Sequence, residues 1–275
     1  MTRLEKSPEA RLAWVDVAKG LCIVLVVLMH ATLGVEKAIG SETGLHAFID
    51  WARPFRMPDF FLISGLFLAA RIDRPWRSYL DTKVVHFAYF YVLWLTIQFA
   101  LKAPGMVAES GGAATLQDYL TSFFVPFGTL WFIYLLMVYF VVAKALRPVP
   151  KWIVLAVGAG LHVFAPPSGV FIVDEFSSRC VFFYSGYALA PAVLAFADRL
   201  RAAPLLPLVA ALVVWAAVNA FGVTSGLALM HGPDLLFSYV GIGAVIAFSV
   251  LITHRAAGDV FAYCGRNSIA VYLAF

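Results

Sequence analysis

Nine runs of apolar residues, separated by charged or turn-forming clusters, organise this chain. They cover 13–35, 52–70, 84–101, 124–143, 152–166, 180–197, 205–222, 235–253 and 260–275. Most approach the ~20 residues an α-helix needs to cross a hydrocarbon core, which suits helices better than the shorter strands of a barrel. The pattern predicts an all-α, polytopic transmembrane helical bundle of about nine spans. Its last run stops at Phe275 inside "NSIAVYLAF", before any cap or polar flank, which predicts a tenth span in the full-length protein.

The polar segments sort by charge. Arg3, Lys6 and Arg11 precede the first run; Arg71, Arg74, Arg77 and Lys83 follow the second; Lys144, Arg147 and Lys151 follow the fourth; Arg199 and Arg201 the sixth; Arg255 the eighth. The intervening segments hold Glu36 and Glu42, Glu109 and Asp118, Asp174 and Glu175, or little beyond Asp234. Basic loops face the cytoplasm, so this alternation predicts a cytoplasmic N-terminus and acidic outer loops. The polar start "MTRLEKSPEARLAW" leads into an apolar run without a small-residue cleavage site, which reads as a retained first span. "ESGGAATLQ" predicts a flexible outer loop, and "RPVPKW" a tight inner turn. No repeat is strong enough to suggest an inverted-repeat transporter, and residues 1–275 read as a single integral-membrane domain.

Composition agrees with this pattern. Hydrophobic residues make up 62% and charged residues 13%, about half the charge of a soluble domain. Mean hydropathy is +0.87. The net charge of +4 is scattered over short loops, so it serves orientation and gives no nucleic-acid surface. Cys22, Cys180 and Cys264 lie in apolar runs without CxxC spacing, and His46, His86, His162, His231 and His254 are dispersed, so no metal site is expected. No glycine-rich phosphate loop occurs.

The first run, "DVAKGLCIVLVVLMH" from Asp16 to His30, carries three polar residues in a lipid-soluble helix. At 100° per residue, Lys19 and His30 fall about 20° apart, with Asp16 about 60° from Lys19. They form one stripe, running from an inner cation to an imidazole roughly 16 Å further out at 1.5 Å per residue. One reading is a snorkelling Asp16–Lys19 pair with His30 bridging helices. The other is a helix lining a passage, with an imidazole able to take a proton from a hydroxyl and return it.

Four stretches together resemble the membrane-bound acyltransferase family 3, which includes O-acetylases and glucan-succinyltransferase-like enzymes. Lys19-x10-His30 behind "RLAWVDVAKG" is similar to that family's first helix, and "RMPDFFLISGLFL" (56–68) to its second. "GTLWFIYLLMVYF" (128–140) and "CGRNSIAVYLAF" (264–275) resemble two later helices, although the last motif commonly ends in histidine where this chain has Phe275. Many members carry an Arg-x-x-Arg pair near the third helix. Here either Lys83 and His86 of "KVVH" or Arg71 and Arg74 of "RIDR" answers to it.

The resemblance implies transfer of an acyl group, most often acetyl, from cytoplasmic acyl-CoA to a hydroxyl of an envelope carbohydrate or similar acceptor. It implies polysaccharide modification at the cytoplasmic (inner) membrane, with acyl-CoA as a donor substrate and no tightly bound cofactor. Arg71, Arg74, Lys83 and His86 would then grip the donor's phosphates, unless that cluster only sets topology. Lys19 would escort the thioester or stabilise its oxyanion, and His30 would act as general base or as acylated nucleophile. Asp59 would orient His30, or else caps a helix. Trp131 and Tyr184 would flank the acceptor, or else belong to packing and interfacial belts. Arg179 and Glu175 are expected to pair at the outer mouth, and Arg266 and Asn267 to open the ninth span. Two other classes fit the same residues: a proton-coupled small-molecule transporter using Asp16, Lys19, His30 and Asp59, and a non-catalytic envelope assembly partner.

Overall fold

The structure, a computed structural model, describes residues 8–274, with side chains from Ala13 onward. Arg3, Lys6 and Phe275 lie outside the described residues, as does the side chain of Arg11.

The described residues form helices and turns, with no strand among them. In chain order the helices are α1 (Pro8–Ile39), α2 (His46–Trp51), α3 (Arg53–Leu66), α4 (Trp76–Leu80), α5 (His86–Ser110), α6 (Gly112–Thr121) and α7 (Trp131–Ala145). They continue as α8 (Lys151–Phe164), α9 (Phe171–Ala188), α10 (Ala190–Ala202), α11 (Leu205–Thr224), α12 (Pro233–Ile252), α13 (Ala256–Arg266) and α14 (Ser268–Ala274). A π-helical turn, Asp81–Val85, joins α4 to α5. Every apolar run is largely helical. Five helical stretches among the described residues are long and apolar enough to cross a membrane, or six if the bent pair α9–α10 is one span. The chain is thus a multi-pass membrane protein.

The structure redraws several segments. "ESGGAATLQ" is no flexible loop: α5 runs to Ser110, α6 starts at Gly112, and Gly111 at φ +82° alone makes the break. Thr115 Oγ1 donates to the Gly111 carbonyl at 2.9 Å, closing the first turn of α6. The run 180–197 bends by 74° at Leu189, just before Pro191 in the first turn of α10. Proline has no N–H to continue the helix and tolerates only a new helical start. The run 260–275 breaks at Asn267, so Arg266 ends α13 and opens no span. Asp59 sits inside α3 and caps nothing.

The chain forms two compact units, residues 8–66 with 185–274, and residues 67–184. In the first, α1 packs on α13, α12, α3 and α2, while α12 also packs on α3, α10 and α11. Helices in lipid gain little from the hydrophobic effect against one another, so close backbone approach matters more. α1 and α13 achieve it reciprocally: a Cβ on Gly20 would strike the Phe261 carbonyl, and one on Gly265 the Asp16 carbonyl. Trp14, Ile23, Phe61 and Ile63 fill the interior. Trp51 Nε1 donates to the Ala216 carbonyl at 3.1 Å, and Asn219 Nδ2 to the Trp51 carbonyl at 2.7 Å, tying α2 to α11.

The second unit is organised on α7. Tyr139 stacks on Phe183 with ring centres 5.1 Å apart, and Phe140 meets the same ring edge-on. Tyr79 hydroxyl donates to the Phe140 carbonyl at 2.7 Å. Tyr91 hydroxyl donates to the Ser122 carbonyl.

Candidate functional site

α1 has no internal proline after its first turn and stays helical to Ile39, so its polar stripe survives intact. Lys19 Nζ lies 3.9 Å from Asp16 Oδ1, both side chains about one third exposed. The pair anticipated from the sequence therefore forms, loosely. Three residues beyond Lys19, buried Cys22 donates its thiol to Asp59 Oδ2 at 2.6 Å. Asp59 is fully buried, and its Oδ1 has no hydrogen-bond partner. Its carboxylate thus engages Cys22, and the orienting hydrogen bond to His30 is not made.

The group that α3 brings to bear on His30 is Arg56, which acts on the half-buried imidazole electrostatically. Arg56 is 8% exposed and donates from Nη1 to the Ile49 carbonyl at 3.2 Å. Since Arg56 faces the later residue His30 and Asp59 the earlier Cys22, α3 runs antiparallel to α1. Pro58 sits between them. It has no N–H for the carbonyl four residues back, that of Pro54, and Ser238 Oγ of α12 donates to that oxygen instead, at 2.6 Å. A proline inside a buried helix is thereby accommodated, and the two charged residues keep their places. Arg56 has its own signal in "RMPD", a charge pair one turn apart in an apolar run, although spacing alone attaches no role to it.

Past the middle of the first unit's helices, α1 ends in a second polar cluster. Glu36, 8% exposed, accepts the Thr43 N–H at 2.8 Å, the Thr43 hydroxyl at 2.9 Å and His46 Nδ1 at 2.8 Å. His46 Nε2 lies 3.6 Å from both Glu42 and Asp50. The Glu36 hydrogen bond, seconded by Coulomb attraction to the three carboxylates, holds the His46 pKa above its ordinary value against an opposing burial effect. The cluster locks the turn between α1 and α2.

The cationic loop belongs to the second unit. Lys144, 6% exposed on α7, donates to the carbonyls of Ile72 and Arg74, the latter at 2.6 Å, with its ammonium over the rings of Trp76 and Tyr79. Arg147 pairs with Asp73 at 2.5 Å. Thus pinned, the loop leaves Arg71, Arg74 and Arg77 exposed. Lys83 instead lies over Phe140 at 4.7 Å, and exposed His86 packs edge-on against Phe90. Arg71 and Arg74 are the better presented of the two candidate pairs.

Trp131 carries the Arg179 guanidinium over its ring at 5.5 Å, and Arg179 Nε meets Glu175 at 2.5 Å, the expected pair. Tyr184 is buried and lines a small cavity with Tyr139, Cys180 and Phe183, a cavity Trp131 does not share. The structure does not bring these two aromatics to one pocket. A larger cavity in the first unit, about 420 Å³, is lined by Leu21, Leu25, Trp51, Phe55 and Trp215 among other apolar side chains. It offers neither a nucleophile nor a phosphate contact. Among the described residues no group of three His, Cys, Asp or Glu side chains is placed to hold a metal ion.

Inner membrane protein YcfT of Escherichia coli (strain K12) is 31% identical over 154 residues, which take in 48% of this chain and 43% of that protein. The match thus covers less than half of the relative's length. No solved structure matches significantly. A family profile described as an acyltransferase domain matches residues 12–275, nearly the whole chain. The chain belongs to this acyltransferase family 3.

Proposed function

We propose that this protein is an inner-membrane O-acyltransferase that moves an acyl group, most simply acetyl, from cytoplasmic acyl-CoA to a hydroxyl of an envelope carbohydrate. The observation that carries this reading is the polar stripe of α1, with Lys19 and Asp16 at one depth and half-buried His30 beside Arg56 at another. Buried intramembrane charge is costly and marks function by default. Two such charges on α3, both directed to α1, are more than packing requires. Nine spans with a cytoplasmic N-terminus put Lys19 in the inner half and His30 in the outer half.

On this reading Arg71, Arg74 and Arg77 take the donor's phosphates through charge-assisted hydrogen bonds, as guanidinium groups do well. Lys19 faces the thioester oxygen as negative charge develops there. His30 removes the acceptor's proton. Trp131, with Arg179 held over it, offers an aromatic face of the kind that sugars stack on.

The test is acetyl transfer from acyl-labelled acetyl-CoA to a soluble glucan oligosaccharide by the protein in proteoliposomes, with His30→Ala as control. Labelled glucan in the wild type, with at least a hundredfold loss in the variant, supports the proposal. Proton-coupled uptake of a solute, independent of acetyl-CoA, together with no labelled glucan, would replace it by the transporter reading.

A further inference from the structure

Phosphate binding asks two things of a basic loop, a fixed backbone and cations that nothing else neutralises. The loop that carries Arg71, Arg74 and Arg77 owes both to the end of α7.

Lys144 stands in the last turn of α7, and Arg147 follows three residues on, its N–H donated to the Lys144 carbonyl at 3.3 Å. The Lys144 ammonium donates to the carbonyls of Ile72 and Arg74 and lies 5.5 Å and 5.1 Å from the ring centres of Trp76 and Tyr79. Among the described residues no carboxylate pairs with it, so its charge remains at the loop. A buried ammonium among neutral partners is costly. Attachment alone does not call for one, because the Tyr79 hydroxyl already ties α4 to α7 through the Phe140 carbonyl at 2.7 Å.

Asp73 is the one carboxylate in residues 67–80. It is turned to Arg147 at 2.5 Å and is thereby withdrawn from its neighbours in the loop. Arg71, Arg74 and Arg77 are exposed, and none of them pairs with a carboxylate among the described residues. The loop thus presents three guanidiniums, joined by the Lys144 ammonium, with its own acid neutralised.

We propose that Lys144 and Arg147 are positioning residues for the acyl donor; this rests on the acyltransferase reading above. Lys144 fixes the backbone that carries the guanidiniums. Arg147 keeps Asp73 from neutralising them, and the loop so prepared selects a thioester that bears nucleotide phosphates. Both residues act through the guanidiniums, away from the reacting carbon. Such binding is the same before and during the chemical step, so its loss falls on KM and spares kcat. A cluster that only meets anionic lipid would show no dependence on the donor's phosphates.

The experiment traps the glucan oligosaccharide inside phosphatidylcholine proteoliposomes and adds the donor outside, either acetyl-CoA or S-acetylpantetheine, the same thioester without nucleotide phosphates. The wild type should prefer acetyl-CoA in kcat/KM by about a hundredfold, the worth of one or two charge-assisted hydrogen bonds. Lys144→Met should raise KM for acetyl-CoA about tenfold with kcat within about twofold, and should match the wild type on S-acetylpantetheine. Arg147→Gln, a surface change that keeps the test open should Lys144→Met fail to fold, frees Asp73 and should raise KM for acetyl-CoA about threefold. Adding Asp73→Asn to Arg147→Gln should restore the wild-type KM, which the loss of a purely structural ion pair would not do. Should S-acetylpantetheine serve as no donor even for the wild type, this rescue decides alone. Equal use of both donors by the wild type, equal losses with both in the variants, unchanged KM throughout, or no rescue by Asp73→Asn overturns the positioning role and leaves acyl transfer standing. Absence of labelled glucan from the wild type with acetyl-CoA overturns the acyl-transfer reading itself.

Discussion

Lys19 stands 3.9 Å from Asp16, both side chains about one third exposed, and the proposal sets its ammonium against a developing oxyanion. Lys19→Met should therefore lower kcat for acetyl transfer by about 10²–10³ with KM for acetyl-CoA little changed, since such a contact acts in the transition state. Lys19→Arg should restore most of the rate. Steady-state kinetics with labelled acetyl-CoA decide this, and an effect confined to KM would make Lys19 a binding group. The stripe on which Lys19 sits is legible from spacing alone. A lysine eleven residues before a histidine, within an apolar run, falls on one helical face by arithmetic, and the unbroken α1 preserves it. What arithmetic cannot supply is the partner helix. Arg56 and Asp59 are visible as charges in "RMPDFF", yet which of them meets His30 depends on the antiparallel course of α3, a tertiary fact.

At the scale of elements, apolar runs are legible and their joints are not. Periodicity reports where a helix can be buried, whereas its ends depend on caps, prolines and neighbours. Thus α1 outlasts its apolar run: 32 residues give roughly 48 Å at 1.5 Å per residue, well beyond a ~30 Å hydrocarbon core. Its excess carries Glu36 to the Thr43 and His46 contacts, which form only because the chain turns back after Ile39, so helical spacing does not announce them. Because Glu36 raises the His46 pKa, the folded protein binds that proton more tightly than the unfolded chain. The stabilisation is complete below the ordinary histidine value near 6.5 and is lost as pH rises through the raised folded value. Purified wild-type protein should therefore lose part of its Tm as pH rises above about 6.5, the ordinary histidine value. His46→Gln should flatten that part of the profile. An unchanged slope in the variant would assign it to other groups.

For the whole molecule, loop charges and helix composition give complementary information. Among the described residues, composition and length mark five or six helices as able to cross a membrane. The remaining runs are short or polar, as α3 is with Arg53, Arg56 and Asp59 in 14 residues. A helix buried among others can carry such residues because its neighbours take up part of their hydrogen bonding, as Cys22 does for Asp59 and the Ile49 carbonyl for Arg56, which is why a hydropathy criterion passes it over while the charge alternation counts it. If α3 spans, the turn after α1 and the loop after α3 face opposite sides of the membrane. Ser41 in that turn and Ser78 in α4, directly after that loop, are exposed and make the test direct. In a background with Cys180 and Cys264 replaced by serine and buried Cys22 retained, a membrane-impermeant maleimide applied outside intact cells should label Ser41→Cys and spare Ser78→Cys. Disrupting the membrane should then expose Ser78→Cys. Labelling of both from outside would remove α3 from the spans, and with it the inner-side placement of Arg71, Arg74 and Arg77 on which the proposed donor binding depends. The reverse pattern would invert the protein and place the exposed arginines of residues 71–77 on the side without CoA.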